Sequence, residues 1–273
     1  MLKKRIIFTL LYDSGHFMLS RNFRLQKVGN LQWLQKNYNF SSISFFIDEL
    51  IVLDVSRGNR NIGAFCDTLK ALTQGCFVPI AAGGGIKNVD DARQLLRSGA
   101  DKVVVNTPLF IRLDLVKELT EAFGQQCVIG SIDLKKNREG HYQILIESGS
   151  KVLEKDTVDY LKGLRENIFG ECYLNSIDQD GTGQGYDFDM LDLLPDNWTA
   201  PTILAGGAGN ASHLIAGLNN PKVDAVATAH LFNFVGDGLK NARTKVSAAS
   251  IELASWPSIE TLLADMPESE KKA

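Results

Sequence analysis

Apolar residues in this chain fall into short, β-rich runs that alternate with amphipathic helical stretches. Eight runs stand out, at 5–10, 49–54, 77–82, 102–106, 127–133, 171–176, 201–205 and 223–228. Such continuous apolar runs suit strands that are buried on both faces. Helical patterns lie between them, and the clearest spans Asn88 to Gly99. Its apolar positions 89, 92, 95 and 96 share one face. Asn88 can cap the first amides, Asp90 and Asp91 suit the first turn, and Gly99 can end the helix in the left-handed conformation. Parallel strands need helical crossovers and cover on both sheet faces. Eight strand–helix units therefore predict an α/β protein built as a closed (β/α)8 barrel.

The pattern also repeats. The run from Glu49 to Gly58 resembles that from Glu171 to Asp180, an offset of 122 residues. The same offset aligns Gly84-Gly85 with Gly206-Gly207, and Arg5-Ile6-Ile7 with Cys127-Val128-Ile129. A period this long is too large for a solenoid and suits two half-barrels, about 1–122 and 123–250, within one domain over 1–273. The internal comparison places Asp133 opposite Leu11, so one half carries a carboxylate where the other has none. One stretch breaks the rhythm. Residues 134–153, with Tyr142 to Ile146 before Ser148-Gly149-Ser150, read as a hairpin inserted after the fifth strand. The charged tail at 266–273 reads as frayed.

Composition narrows the class. The chain is 44% apolar and 22% charged, with a net charge of −3. That is enough to bury a full core and gives no reason to expect nucleic acid or an anionic membrane surface. No apolar run approaches the roughly 18 residues of a membrane span. The start at Met1 is briefly basic and then apolar, but Tyr12 to His16 interrupt it, so it reads as a tail and a first strand. The four cysteines (Cys66, Cys76, Cys127, Cys172) lack metal-ligand spacing. They read as free thiols of a reducing, cytoplasmic protein. The four histidines (His16, His141, His213, His230) show no ligand spacing either, so neither metal nor cofactor is expected.

In barrels of this kind, chemistry gathers where strands end and loops begin. Gly83-Gly84-Gly85 follow the third strand, and Asn106 and Thr107 follow the fourth. Glycine-flanked amides and a hydroxyl can hold a phosphate without a charged side chain. The second half repeats this with Asp178 to Thr182, including Asp180 and Gly181, and with Gly206 and Gly207. Two such cradles suit a substrate phosphorylated at both ends, although tight turns alone would need the same glycines. Asp133 closes a strand and can serve as a general acid or base, or as a structural hydrogen-bond acceptor. At the opposite end Arg5, Glu49, Lys102 and Glu171 each begin a strand. Facing inward, two acids and two bases would pair completely, as a salt-bridged plug that seals the core.

Together these residues resemble the family of cyclase subunits of imidazole glycerol phosphate synthase (HisF). Lys4 to Ile7, Leu53-Asp54, Gly83 to Ile86, Gly99 to Val103, Ser176 to Thr182 and Ala205 to Gly209 follow that family's order, over roughly 1–235. The resemblance implies a pseudo-symmetric barrel that receives ammonia from a HisH-like glutaminase docked at its bottom. Ammonia would pass the charged ring, now read as a gate, and meet a doubly phosphorylated ribulose intermediate at the top. It further implies a partner contact at Asp101. Phosphate positions would be Gly84, Gly85, Asn106, Thr107, Asp180, Gly181, Gly206, Gly207 and, in one register, His230 (Thr228 in another).

The chain departs from the family at several points. The family's aspartate at the end of strand one is Leu11 here, its lysine in the following loop is Leu19, and the next glycine is Ser20. Asn175 and Ala205 replace hydroxyl residues. Leu cannot transfer a proton, which leaves Asp133 without its partner. Three readings stay open. The chain resembles family paralogues that accompany sugar amidotransferases making acetamidino sugars of surface polysaccharides, where it would pass ammonia to a third enzyme. It could instead be a working cyclase (a lyase of histidine biosynthesis) with Asp13 or a mobile first loop supplying the proton. Or it could be a non-catalytic subunit that senses a phosphosugar.

Overall fold

The computed structural model describes residues 3–37, 43–164, 168–230 and 236–254. The expected tail at 266–273 lies outside them. Along the chain come β1 (Arg5–Asp13), β2 (His16–Arg21), β3 (Arg24–Gly29), β4 (Glu49–Asp54), β5 (Ile80–Gly83), β6 (Lys102–Val105), β7 (Val128–Lys136), β8 (Tyr142–Ile146), β9 (Lys151–Val152), β10 (Glu171–Ser176), β11 (Thr202–Ala205) and β12 (Ala225–Thr228). The described helices are α1 (Leu31–Asn37), α2 (Ile62–Thr73), α3 (Val89–Arg97), α4 (Thr107–Ile111), α5 (Leu113–Phe123), α6 (Thr157–Gly163), α7 (Ala211–Leu218) and α8 (Gly238–Ala248). Eight parallel strands pair in the order β1, β4, β5, β6, β7, β10, β11, β12 and back to β1. This closed ring is the (β/α)8 barrel that the alternating pattern predicts.

Strand periodicity divides the apolar residues into two cores. Ile7, Ile51, Ala81, Val104, Ile129, Tyr173, Ile203 and Ala225 point inward and pack together in the lumen. Their neighbours, among them Phe8, Leu50, Val52 and Leu174, point outward to Phe65, Leu69, Leu95 and Leu119 of the helices. Each such side chain contributes about 1.5–3 kcal/mol by burial. Helix α3 forms as its sequence suggests. The Asn88 side chain accepts from the Asp91 amide at 2.9 Å, and Gly99 just beyond the helix has φ +103°.

Four strands begin later than the apolar pattern suggests (β5, β7, β11 and β12), and in two of them a proline is the reason. β5 starts after Pro79 and β11 after Pro201, because proline has no amide to give the ladder. Their carbonyls are still used: Pro79 accepts from Leu50 and Pro201 from Cys172, each at 2.9 Å.

The hairpin after β7 is not a one-sided insertion, as the sequence pattern suggested. β7 runs past the rim to Lys136 and pairs antiparallel with β8, which pairs with β9. In the first half β1 does the same, running on to Asp13, pairing with β2 and then β3. The first hairpin escapes a sequence reading because β3 is largely exposed and alternates weakly. Its turn, Asn22-Phe23, takes φ +50° and +61° without a glycine.

A buried clamp holds the last described helix to the ring. Arg243 in α8 meets Asp48 through two parallel bonds, of 3.0 and 2.9 Å, and Asp48 also accepts the Ile6 amide at 2.7 Å. Asp48 is only 2% exposed at its side chain. Arg243→Ala strands that carboxylate, and a loss of about 3–5 kcal/mol is expected in urea unfolding. A loss under about 1 kcal/mol would show that water replaces the guanidinium.

Candidate active site and the ring beneath it

A cavity of about 640 Å³ opens where the barrel strands end. Gly84, Gly85, Asn106, Thr107, Asp133, Asp180, Gly181, Gly206, Gly207 and His230 all line it, as does Leu11. Residues up to 219 positions apart in sequence, from Leu11 to His230, thus line one cavity. Gly84 and Gly207 have φ +110° and +106°. A Cβ on either would lie within 2.1 Å of a backbone oxygen, of Asp54 for the first and of Gly185 for the second. Only glycine allows these turns to approach so closely.

Asp133 sits in the wall with 8% exposure. The Asn106 side chain donates to one carboxylate oxygen at 3.1 Å and the Asn175 side chain to the other at 2.9 Å. Asn106 therefore orients the acid. Burial pushes the Asp133 carboxyl up to about 7, against the pull of Asn175 and with a smaller push from Asp180. A carboxyl poised there can exchange a proton near neutral pH.

The raised value has a thermodynamic consequence. Unfolded, the group titrates near 3.8, so between about 4 and 7 the folded chain holds a proton that the unfolded chain has lost. Stability from the neutral acid is complete below that window and lost as pH rises through it, by up to roughly 4 kcal/mol. Asp133→Asn cannot ionise and should flatten this slope. Relative to wild type, the variant should therefore be more stable at pH 8 than at pH 5, by about 2–3 kcal/mol. Parallel pH dependences for the two proteins would mean that water reaches the carboxylate.

Leu11 is the second-half acid's counterpart in space as in sequence. It pairs with Met18 on one side and Leu53 on the other, and it is 9% exposed. Asp13 does not take its place. It pairs with His16 beyond the rim, accepts the Ser14 hydroxyl at 2.8 Å, and is not part of the cavity wall.

Both hairpins reach over the cavity. At the tip of the first, Ser20 donates to Asp180 at 2.5 Å and the Phe23 amide donates to the same carboxylate oxygen at 3.0 Å. Burial raises the Asp180 carboxyl above its usual range despite these donors. At the tip of the second, the Glu147 amide donates to the Thr107 hydroxyl at 2.9 Å. Phe23 and Gly149 meet so closely that a Cβ on Gly149 would lie 2.5 Å from the ring. The hairpin at 134–153 thus covers the cavity. His230 stands on the same side as Asp180, and burial lowers its imidazole below the usual value. Thr228 spends its hydroxyl on the Ala208 carbonyl at 3.1 Å.

At the opposite end Arg5, Glu49, Lys102 and Glu171 form a closed ring of alternating sign. Arg5 meets Glu49 at 3.0 Å and Glu171 at 2.5 Å, while Lys102 meets Glu49 at 3.1 Å and Glu171 at 2.5 Å. Burial pushes the Glu49 carboxyl up even beside Lys102. Burial also acts on Glu171, but the Arg5 hydrogen bond and charge outweigh it and hold that carboxyl below its usual range. Above the ring lies the apolar sleeve of Ile7, Ile51, Ala81, Val104, Ile129, Ile203 and Ala225. Tyr173 and Thr9 then face each other across the lumen, hydroxyl to hydroxyl at 3.3 Å, on the floor of the cavity. Asp101 is exposed beside the ring, and its carboxylate accepts the Ile80 amide at 2.8 Å.

Several residues of the wall escape a motif-based reading: Thr9, Arg57, Arg60, Lys87 and Tyr173. The offset of 122 would have flagged the cations, because Arg57 and Arg60 correspond to Gln179 and Thr182. The cysteines are free, and Cys66, Cys76 and Cys172 are buried. Among the described residues no group of His, Cys, Asp or Glu is arranged to hold a metal ion, and no helix is long and apolar enough to cross a membrane.

Comparison with known proteins agrees with this architecture. Residues 35–236 match the family model described as histidine biosynthesis protein. A relative from Parasynechococcus marenigrum (strain WH8102), named "Putative imidazole glycerol phosphate synthase subunit hisF2", is 46% identical over 258 residues, covering 94% of this chain and 96% of that protein. The family model spans most of the chain and the relative nearly all of it: the chain belongs to the histidine biosynthesis protein family, among the HisF-like cyclase subunits of imidazole glycerol phosphate synthase.

Proposed function

We propose that this chain is the synthase subunit of a glutamine amidotransferase complex, and that it carries ammonia through its barrel rather than closing an imidazole ring itself. The observation that carries this reading is the lumen. A fully paired charged ring opens onto an apolar sleeve that leads to a cavity where Asp133 stands in the wall of one half-barrel and Leu11 at the equivalent position of the other. Neutral ammonia tolerates such a sleeve, whereas ammonium would pay the cost of losing its water. A HisH-like glutaminase docks at the bottom, where Asp101 lies exposed beside Lys102. The acceptor is a separate sugar amidotransferase, as in the paralogues that the sequence resembles. The cavity's glycine turns remain able to hold a phosphorylated small molecule.

A cyclase of histidine biosynthesis is the second reading, favoured by the Asp133 carboxyl near 7. One assay separates the two. The purified chain is given the doubly phosphorylated ribulose intermediate with free ammonium at alkaline pH, and loss of substrate absorbance is followed. The expected result is turnover about 10²–10⁴-fold below that of a two-carboxylate cyclase, since a positioned acid or base is worth that much. Turnover at the full rate would overturn the conduit reading.

A further inference from the structure

Inside the barrel one side chain departs from its neighbours. Tyr173 is the only member of the lumen cluster that carries a polar side-chain atom. The offset of 122 places Ile51 at the same position of the other half, so core packing there does not require a phenol. On the shorter way round the ring, β11 and β12 separate β10, which carries Tyr173, from β1. The phenol nevertheless reaches Thr9 of β1, hydroxyl to hydroxyl at 3.3 Å. Its ring therefore lies across the lumen, between the aliphatic sleeve and the cavity whose floor both residues line.

The two hydroxyls are buried and underused. Thr9 is 1% exposed and Tyr173 5%. Among the described residues neither hydroxyl has another hydrogen-bond partner. Their own contact is long, against about 2.7 Å for a good bond between hydroxyls. Each offers one donor and two acceptor lone pairs, so one donor and most of the acceptors stay unspent. Buried polar groups left in this way are costly until something meets them. Ammonia has the matching set, one lone pair to accept and three N–H groups to donate. The phenol also suits ammonia as an acid. Burial pushes the Tyr173 hydroxyl above its ordinary range, against the Thr9 bond and with smaller pushes from Asp133 and Asp180. It keeps its proton, since a phenolate beside ammonium would be two charges in a buried place. Ammonia held there stays neutral.

We propose that Tyr173 and Thr9 form the exit station of the conduit, where their hydroxyls part to hold one neutral ammonia molecule between the apolar sleeve and the cavity. The free O–H donates to the nitrogen lone pair, and the hydroxyl oxygens accept its N–H groups. When ammonia leaves, the hydroxyls meet again and the ring closes the sleeve to water from the cavity. This rests on the ammonia reading and names the side chains that regulate its last step.

Carbon NMR of the full chain with the Cζ atoms of its six tyrosines labelled tests it, and Tyr173→Phe identifies the Tyr173 signal. Ammonium chloride at alkaline pH should move that signal saturably. Tetramethylammonium chloride at the same concentration should not, because it is too large and cannot lose its charge. Thr9→Val, which keeps the shape and removes one hydroxyl, should weaken the ammonia response about tenfold, the worth of a buried hydrogen bond. A Tyr173 signal that ammonium leaves in place, or that responds equally in folded Thr9→Val, would overturn the station. If Thr9→Val does not fold, the comparison of the two salts on the wild type decides. A second readout separates the station from the conduit. In complex with the glutaminase, Tyr173→Phe should lower ammonia delivered per glutamine hydrolysed by about tenfold. Unchanged delivery in Tyr173→Phe, with Lys102→Ala still uncoupled, would overturn the station and leave the conduit standing. Unchanged delivery in both variants would overturn the conduit itself.

Discussion

Leu11→Asp is expected to raise turnover of the doubly phosphorylated ribulose intermediate by about 10²–10⁴-fold over wild type, with ammonium as the nitrogen source. The backbone already holds this position on the cavity wall, in register with Leu53 and Met18 and symmetry-related to Asp133. A carboxylate there restores a second proton-transfer group across the barrel. It will not be an ordinary one. The site is 9% exposed, so its acid strength will fall as that of Asp133 does, and burial of a polar group costs roughly 1–3 kcal/mol. Steady-state rates at several pH values check the result, with a thermal melt to confirm folding. A folded variant that binds the intermediate yet gains nothing would mean that the cyclase site has lost more than one acid. Ser20 and Leu19 in the first hairpin would then be the next positions to restore.

Lys102→Ala is expected to uncouple the complex. Lys102 is shared between Glu49 and Glu171, and without it the Glu49 carboxylate, 2% exposed, keeps only Arg5. Its carboxyl, already raised by burial, will rise further and take up a proton more readily. The ring then loses its alternation of charge and leaves a gap where the amine stood. In complex with the glutaminase, ammonia delivered per glutamine hydrolysed should fall by about tenfold or more, the effect of one disrupted charged contact. Use of free ammonium at the top should be unaffected. If the ring were only a plug, the outcome would be reversed. The variant would lose about 3–5 kcal/mol of stability, as expected for a broken buried ion pair, while the surviving complex coupled normally. Urea unfolding and the coupling ratio, measured on one preparation, decide between them. Lys102→Met, which keeps volume without charge, separates loss of the amine from loss of packing.

Much of the barrel can be read from local pattern, since strand alternation and helix capping depend on residues a few positions apart. The runs 49–54 and 171–176 are strands to the residue, and Asn88 caps its helix. The first hairpin was not legible. β2 and β3 owe their order to contacts with the other half of the chain, such as the Asn22 amide donating to the Asp180 carbonyl at 2.9 Å. A segment ordered by partners over 150 residues away need not carry a strong strand signal of its own.

For the site, the sequence by itself determined which chemical groups are present. It supplied two acids and two bases at the strand starts, glycines in pairs, one aspartate at position 133 and leucine at 11. The tertiary structure alone decided what those groups do to one another. Arg5 reaches Glu171 across 166 positions of chain, so a ring exists only once the barrel closes. Asp133 moves to about 7 because folding strips its water, which no residue type encodes. Arg57 and Arg60 of the β4–α2 loop face the glycine turn and both hairpin tips only in the folded chain. Covalent sequence sets charge and shape, while distance and desolvation, on which electrostatic energy depends, are set by contacts between segments far apart along the chain.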